Sequence, residues 1–478
     1  MTESPPTPAG TPPTQPAEPV ALGTAPGRWV LVATVLASAM ALLDATAVNV
    51  ALPAIGADLG ASLSGLQWTV TGYTLALAAL ILLGGALGDR YGRRRVFLVG
   101  VVWFAVASLL CGLAQSPVQL VGARALQGVG GALLTPGSLA IIQSSFRRAD
   151  RARAIGLWSA LGGLAGLLGP FLGGFLIDTV SWRWVFGVNV PVAVLVLAAA
   201  RHLPESRDPA AHGRFDVLGA VLGALALGGV TYALIAAGEQ IGADVWLTAT
   251  GGLLAAAAFV VRERRAAEPM LPLTVFTDRQ FSGANLSTLA VYGALGGLQF
   301  FLVLQLQTVL GYSATQAGAA MLPSILLITL LSARAGALAQ RIGPRRPMTV
   351  GPLVAATGLL WLTRAGDGGA YWLDVLPGSV LFGLGMSALV APLTATVLGA
   401  APDHLAGVAS GVNNAVARAA NLLAVAALPV AVGLSGADHA RSEAFSAGFT
   451  TAMVVCAGLM VAGSAVAWLT IRDDVLAG

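Results

Sequence analysis

The sequence predicts an all-α protein that crosses a membrane fourteen times, as two six-helix bundles with two further helices inserted between them. Three observations carry that prediction. Of the 478 residues, 56% are hydrophobic, only 10% are charged and 60 are glycine, a balance suited to a lipid-facing exterior rather than a water-facing one. From Trp29 onward, apolar runs of the ~20 residues that a helix needs to cross a bilayer follow one another with short connections. A motif that follows the second run returns after the tenth.

Residues 1–27 are rich in Pro, Thr and Ala and have no basic stretch leading into an apolar core. They are expected to form a disordered cytoplasmic tail, not a signal peptide. The runs then cover 29–52, 66–88, 95–114, 118–143, 153–177, 184–201, 216–237, 245–262, 281–305, 315–338, 347–364, 373–398, 405–432 and 449–471. The first six fill a bundle over 28–203, and the next two, with their linker, fill 204–270. The last six fill a second bundle over 271–472, and 473–478 form a closing cytoplasmic tail.

Orientation follows from arginine, because the chain has no lysine and all 26 basic residues are arginine. The connections after runs two, four, six, eight and ten carry Arg90 with Arg93 to Arg95, Arg147 to Arg153, Arg201 with Arg207 and Arg214, Arg262 with Arg264 and Arg265, and Arg341 with Arg345 and Arg346. Those connections, and both termini, are expected in the cytoplasm. The alternate connections hold Trp68, Trp182, Trp184, Trp246 and Trp372, as an interfacial belt would, with Arg183 and Arg441 as exceptions. The net charge of +4 is thus a matter of topology and makes no case for nucleic acid. Cys111 and Cys456 lie inside runs, so no disulfide and no metal site is expected.

The repeat sets Gly85-Ala86-Leu87-Gly88-Asp89-Arg90-Tyr91-Gly92-Arg93-Arg94-Arg95 against Gly336-Ala337-Leu338-Ala339-Gln340-Arg341-Ile342-Gly343-Pro344-Arg345-Arg346. Ser62-Leu63-Ser64 and Ser313-Ala314-Thr315 precede the two runs at the same offset, and Ser64 and Gln67 are spaced as a capping box. Runs one to six therefore pair with nine to fourteen. Repeated bundles with a polar site at their interface are the pattern of alternating-access transporters. In the loop itself, Gly85 and Gly88 let helix ends approach, while Asp89 can accept from Arg90, Arg93 or a helix N-terminus. Gly92 and Arg94 complete the motif. The second copy has Gln340 in place of Asp89, so gating is expected to be asymmetric.

Asp44, in the run Leu43 to Pro53, is the acid set deepest in an apolar run. A carboxylate facing hydrocarbon costs at least ~2.5–3.5 kcal/mol, so Asp44 must face protein or water. None of the histidines, His202, His212, His404 and His439, falls in an apolar run, which makes Asp44 the natural proton carrier. Its expected partner is Arg124: Asp44 lies nine residues before Pro53 and Arg124 seven after Pro117. These positions are about 13 and 10 Å below the same face, in one layer. A pair that separates and rejoins can bind and release a proton; a pair that stays closed only fixes run one against run four. Arg418 is a second deep arginine, following Asn413-Asn414, and one acid with two arginines is a poor cage for a dication.

Two further stretches carry chemistry. Gly162, Gly163, Gly166, Gly169, Gly173 and Gly174 give run five a small-residue face for close helix packing, and Pro170 removes a backbone donor and bends it. Run nine mixes Tyr292, Gln299, Phe300, Phe301, Gln305 and Gln307, which with Asn49, Tyr73, Gln127 and Asn414 are candidates to line a cavity for amphiphilic molecules.

Across its length after the tail, the chain resembles the major facilitator superfamily, and within it the fourteen-span drug:proton antiporters. The residues that carry this are Leu43-Asp44 through Pro53, the loop Gly85 to Arg94, Arg124 with Gln127 and Gly128 to Gly130, Gly169-Pro170-Phe171-Leu172-Gly173-Gly174, and Trp182-Arg183-Trp184 with Phe186, Asn189 and Pro191. The resemblance implies the major facilitator fold, residence in a bacterial cell membrane, and proton-coupled export of drugs or antibiotics by a monomer with no cofactor besides the proton. It also implies that the bend at Pro170 seals the cavity against proton leak. Export of one dedicated metabolite or lipid, and uptake by symport, are the alternatives; the run-five motif favours export. No Gly-Lys-Ser/Thr phosphate loop and no Ser/His/Asp arrangement is present, so neither ATP drive nor enzymatic catalysis is expected.

Overall fold

The computed structural model describes residues 20–207, 216–266, 269, 271–366, 368–401, 405–434 and 442–473. Most of the two expected tails, and Arg214, His212, His404, His439 and Arg441, lie outside these. Among the described residues all regular secondary structure is helical apart from one isolated bridge between Val20 and Phe146. The helices are α1 (Ala25–Leu59), α2 (Leu63–Tyr91), α3 (Arg93–Gly112), α4 (Pro117–Ser145), α5 (Arg148–Thr179), α6 (Arg183–Gly187), α7 (Asn189–Ala200), α8 (Val217–Ala237) and α9 (Ala243–Arg265). They continue as α10 (Arg279–Leu304), α11 (Ala314–Ala320), α12 (Leu322–Ile342), α13 (Arg345–Leu362), α14 (Leu376–Gly399), α15 (Ala406–Ala431) and α16 (Ser442–Thr470).

Because α6 and α7, and likewise α11 and α12, are two pieces of one rod, these sixteen helices make fourteen rods. Thirteen are long and apolar enough to cross a membrane. The exception is α13, at 18 residues the shortest single-helix rod, whose first turn is spent on Arg345 and Arg346.

Packing follows the sequence repeat. In the first bundle α2 and α3 both pack on α4, and α1 packs on α5 and α7. In the second, α12 and α13 both pack on α14, and α10 packs on α15 and α16. The inserted α8 and α9 form a hairpin so tight that a Cβ on Gly229 would come within 2.9 Å of Gly252 Cα. The outer flank of α8 lies along α2 and α15, one helix from each bundle.

The hydrogen bonds seen between the bundles sit on the arginine-poor face. Asp178, at the end of α5, accepts from the free N–H groups of Ala314 (3.1 Å) and Thr315 (2.8 Å) that open α11. Gln307 donates to Val50 O (2.9 Å), and Gln67 to Val425 O (2.8 Å) and Ala426 O (3.2 Å). This face is sealed. The Gln67 bonds also correct the expected capping box: α2 is capped by Ser62, which accepts from Gly65 N–H, while Ser64 lies within the first turn and bonds Glu239. With glycine at the position that should reach back, the reciprocal bond cannot form. It forms in the repeat, between Ser313 and Gln316.

Candidate functional site

Asp44 is wholly buried inside the first bundle, and four other helices converge on it. Arg124 of α4 donates Nη1 to its Oδ2 at 2.6 Å. Gln127, one turn further along α4, donates to Oδ1 at 2.8 Å and accepts from the same guanidinium nitrogen at 2.6 Å. Asn189, the first residue of α7, donates to Oδ1 at 3.0 Å and to Ser108 of α3 at 2.9 Å. Arg124 Nε is taken by Thr69 O (3.0 Å), and its guanidinium lies over the Tyr73 ring at 4.4 Å, both on α2. The i, i+3 spacing of Arg124 and Gln127 puts both on one face of α4, and the break between α6 and α7 presents Asn189 at a helix start. A closed, buried ion pair results, with both oxygens of the Asp44 carboxylate occupied by donors.

The sequence paired Asp44 with Arg124; Gln127 and Tyr73, expected to line a cavity, are instead buried against that pair, and Asn189 and Ser108 were missed as partners. Asn189 was part of the sixth-run motif, and a lone amide in an apolar run was the signal that could have singled it out. The other cavity candidates divide. Phe300 and Gln305 are corrections: both are fully buried in the second bundle. Phe300 packs edge-on against Phe301 at 5.6 Å, and Gln305 donates to Ala365 O at 2.7 Å. Neither has surface to offer a ligand. Asn49 is spent on Ala45 O (3.0 Å), Tyr292 and Gln299 are partly buried, and Asn414 is exposed. Arg418 is partly buried, and its Nε has no partner among the described residues.

In the loop motif Asp89 pairs with Arg93 at 2.8 Å. The close helix approach falls one residue earlier than expected: a Cβ on Gly84 would strike Ala132 O of α4, whereas Gly85 has only ordinary contact with Pro136 at 3.6 Å and Gly88 with Arg93 at 3.8 Å. Gly92 adopts φ +115°, and the Glu205 carboxylate fills the space beside it, accepting from Arg94 N–H at 3.1 Å and lying 3.7 Å from the Arg95 guanidinium. The second copy repeats this with Gly343 at φ +83° and Asp473, which accepts from Arg345 N–H at 3.2 Å. Glu205 and Asp473 were not foreseen.

The run-five glycines serve two neighbours. Gly169 and Gly173 face α1, where added Cβ atoms would meet Thr46 and Ala47. Gly174 lies against Ala314 of the second bundle, and Gly318 of α11 against Pro170. Gly166 has open space beside it.

Residues 34–425 match the model of the Major Facilitator Superfamily. The chain is 37% identical over 464 residues to the puromycin resistance protein pur8 of Streptomyces alboniger, covering 94% of this chain and 92% of that one. It is 38% identical over 394 residues to the multidrug resistance protein Stp of Mycobacterium tuberculosis, covering 80% and 72%. Its fold matches a crystal structure of a bacterial homologue of the human lysosomal transporter Spinster, inward-facing and unoccupied, with a TM-score of 0.65 at 18% identity over 94% of this chain and 97% of that one. With a match over most of its length and relatives this similar, the chain belongs to the Major Facilitator Superfamily and is a multi-pass membrane transporter.

Proposed function

We propose that this transporter exports amphiphilic small molecules, drugs or antibiotics among them, from a bacterial cytoplasm in exchange for protons. The arginine-rich face and both termini lie in the cytoplasm, and a single chain suffices. Relatives named for puromycin and multidrug resistance support the direction and the kind of cargo. The observation that carries the reading is Asp44. The buried acids among the described residues are Asp44, Asp216 and Glu263, and the last two sit at the ends of α8 and α9; Asp44 alone is at mid-helix in a bundle.

Protonation of Asp44 cancels the charge that Arg124 pairs with and replaces an acceptor by a donor facing Gln127 and Asn189. Leaving one buried charge unpaired costs about 3–5 kcal/mol, against the ~5.5 kcal/mol that carries a two-state equilibrium from 1:99 to 99:1. One proton is therefore enough to move the balance between conformations by about a hundredfold or more. The network ties α1, α4 and α7 together, so its loosening is felt along α1, which packs on α5 at the sealed seam.

The test is transport in liposomes against an imposed pH gradient. Asp44→Asn holds the site neutral and is expected to abolish uphill export while substrate binding survives and loses its pH dependence. Full gradient-driven transport by Asp44→Asn would sink proton coupling at this residue.

A further inference from the structure

Arg418 stands out once the first bundle's charges are accounted for. It lies on α15 at the seam with α2, and two crossings fix its level. Gln67 of α2 bonds Val425 and Ala426, and Leu82 of α2 is the side chain nearest Gly411, where a Cβ would meet it at 3.1 Å. Arg418 is midway between these crossings on α15, which brings it level with Tyr73 to Leu75, midway between them on α2. At that level on the first bundle's side, Arg124 lies over the face of the Tyr73 ring at 4.4 Å.

Only one of the two arginines is neutralised. Asp44 is wholly buried, and its oxygens are occupied by Arg124, Gln127 and Asn189. Arg418 has no ion pair or hydrogen bond among the described residues, and its Nε is buried without an acceptor. The rotation of α15 is set by Asn413, which bonds Asn285 at 3.2 Å and Thr288 at 2.8 Å on α10. Asn414, one turn from Arg418 along the helix, is exposed. A guanidinium held partly out of water without a counter-charge is costly, and its planar fork is matched by two oxygens of an acid.

We propose that the transport site takes its cargo by an acidic group, a carboxylate or an ionised phenol or enol, which pairs with Arg418. The inference rests on the export reading above and narrows its cargo to acidic amphiphiles. Such a site disfavours cations, since the mid-helix acid of the first bundle, Asp44, is already paired with Arg124.

The experiment titrates the purified full-length chain with three fluorescent probes that share one aromatic body and end in a carboxylate, its methyl ester, or a trimethylammonium group. The wild type is expected to bind the carboxylate roughly tenfold to a hundredfold tighter than the ester, as a charge-assisted bond provides, and the ammonium probe most weakly. Arg418→Gln removes the preference and leaves the ester's affinity unchanged, and Arg418→Lys restores part of it. Equal binding of all three probes, tightest binding of the ammonium probe, or a uniform loss in Arg418→Gln would overturn the proposal. If Arg418→Gln does not fold, the wild-type ranking decides alone. The titration needs no gradient, so the two readings fail separately. A wild type that ranks the probes as expected yet exports none in liposomes sinks export, and one that pumps the ammonium probe while ignoring the carboxylate sinks the acidic cargo.

Discussion

At Asp44 one carboxylate takes three donors, a guanidinium and two amides. In a chain that is 10% charged, Asp44 and Arg124 stand out in apolar runs, and counting depth from Pro53 and Pro117 was enough to pair them. Asn189 carries no charge, and its reach to Asp44 depends on the break between α6 and α7, which no periodicity announces. Phe300 and Gln305 show the converse: an aromatic or an amide in a long helix cannot be assigned to cavity or interior until the helix's rotation is known. Gln127 and Asn189 both donate to the same oxygen of Asp44, so their effects should not add. Gln127→Leu and Asn189→Leu are each expected to lower thermal stability in detergent by about 1–3 kcal/mol, and the double variant by less than the sum by about 1 kcal/mol or more. Strict additivity would mean that the two amides act on separate parts of the bundle.

The paired loops separate what the repeat holds in common from what it changes. Each turns on a glycine with positive φ, and each glycine faces an acid from the end of its bundle's last rod, Glu205 for Gly92 and Asp473 for Gly343. Those acids lie 111 and 128 residues from the N–H groups they accept, which is why a loop motif read locally did not reveal them. Gly92→Ala and Gly343→Ala are both expected to destabilise the fold, since each adds a Cβ against a carboxylate and costs about 1–2 kcal/mol in backbone strain. Asp89→Asn breaks the pair with Arg93 and is expected to slow transport in a folded protein, whereas Gln340→Ala leaves the rate near wild type. Rates and melting curves measured on all four variants decide this, and equal slowing by Asp89→Asn and Gln340→Ala would count against asymmetric gating.

For the whole molecule, hydrophobic runs gave the rods and the repeat gave their packing partners, because the bilayer imposes length and the duplication imposes arrangement. What they could not give was the state of the assembly, sealed on its arginine-poor face by Asp178, Gln307 and Gln67. Polar side chains that bridge separate bundles leave no periodic trace. The orientation is testable directly: cysteines at Gly242 and Gly368 should react in intact cells with an impermeant thiol reagent, and one at Arg265 only after lysis. Reaction of position 265 from outside would reverse the topology. The inserted pair gives the molecule a handed exterior. With α8 lying along both α2 and α15, that junction is shuttered from the surrounding lipid, while the junction of α5 with α11 and α12 lies on the opposite flank, away from the helices that α8 touches. A molecule moving in the membrane plane therefore meets two different flanks: the helical hairpin laid over one junction, and the bundles themselves at the other.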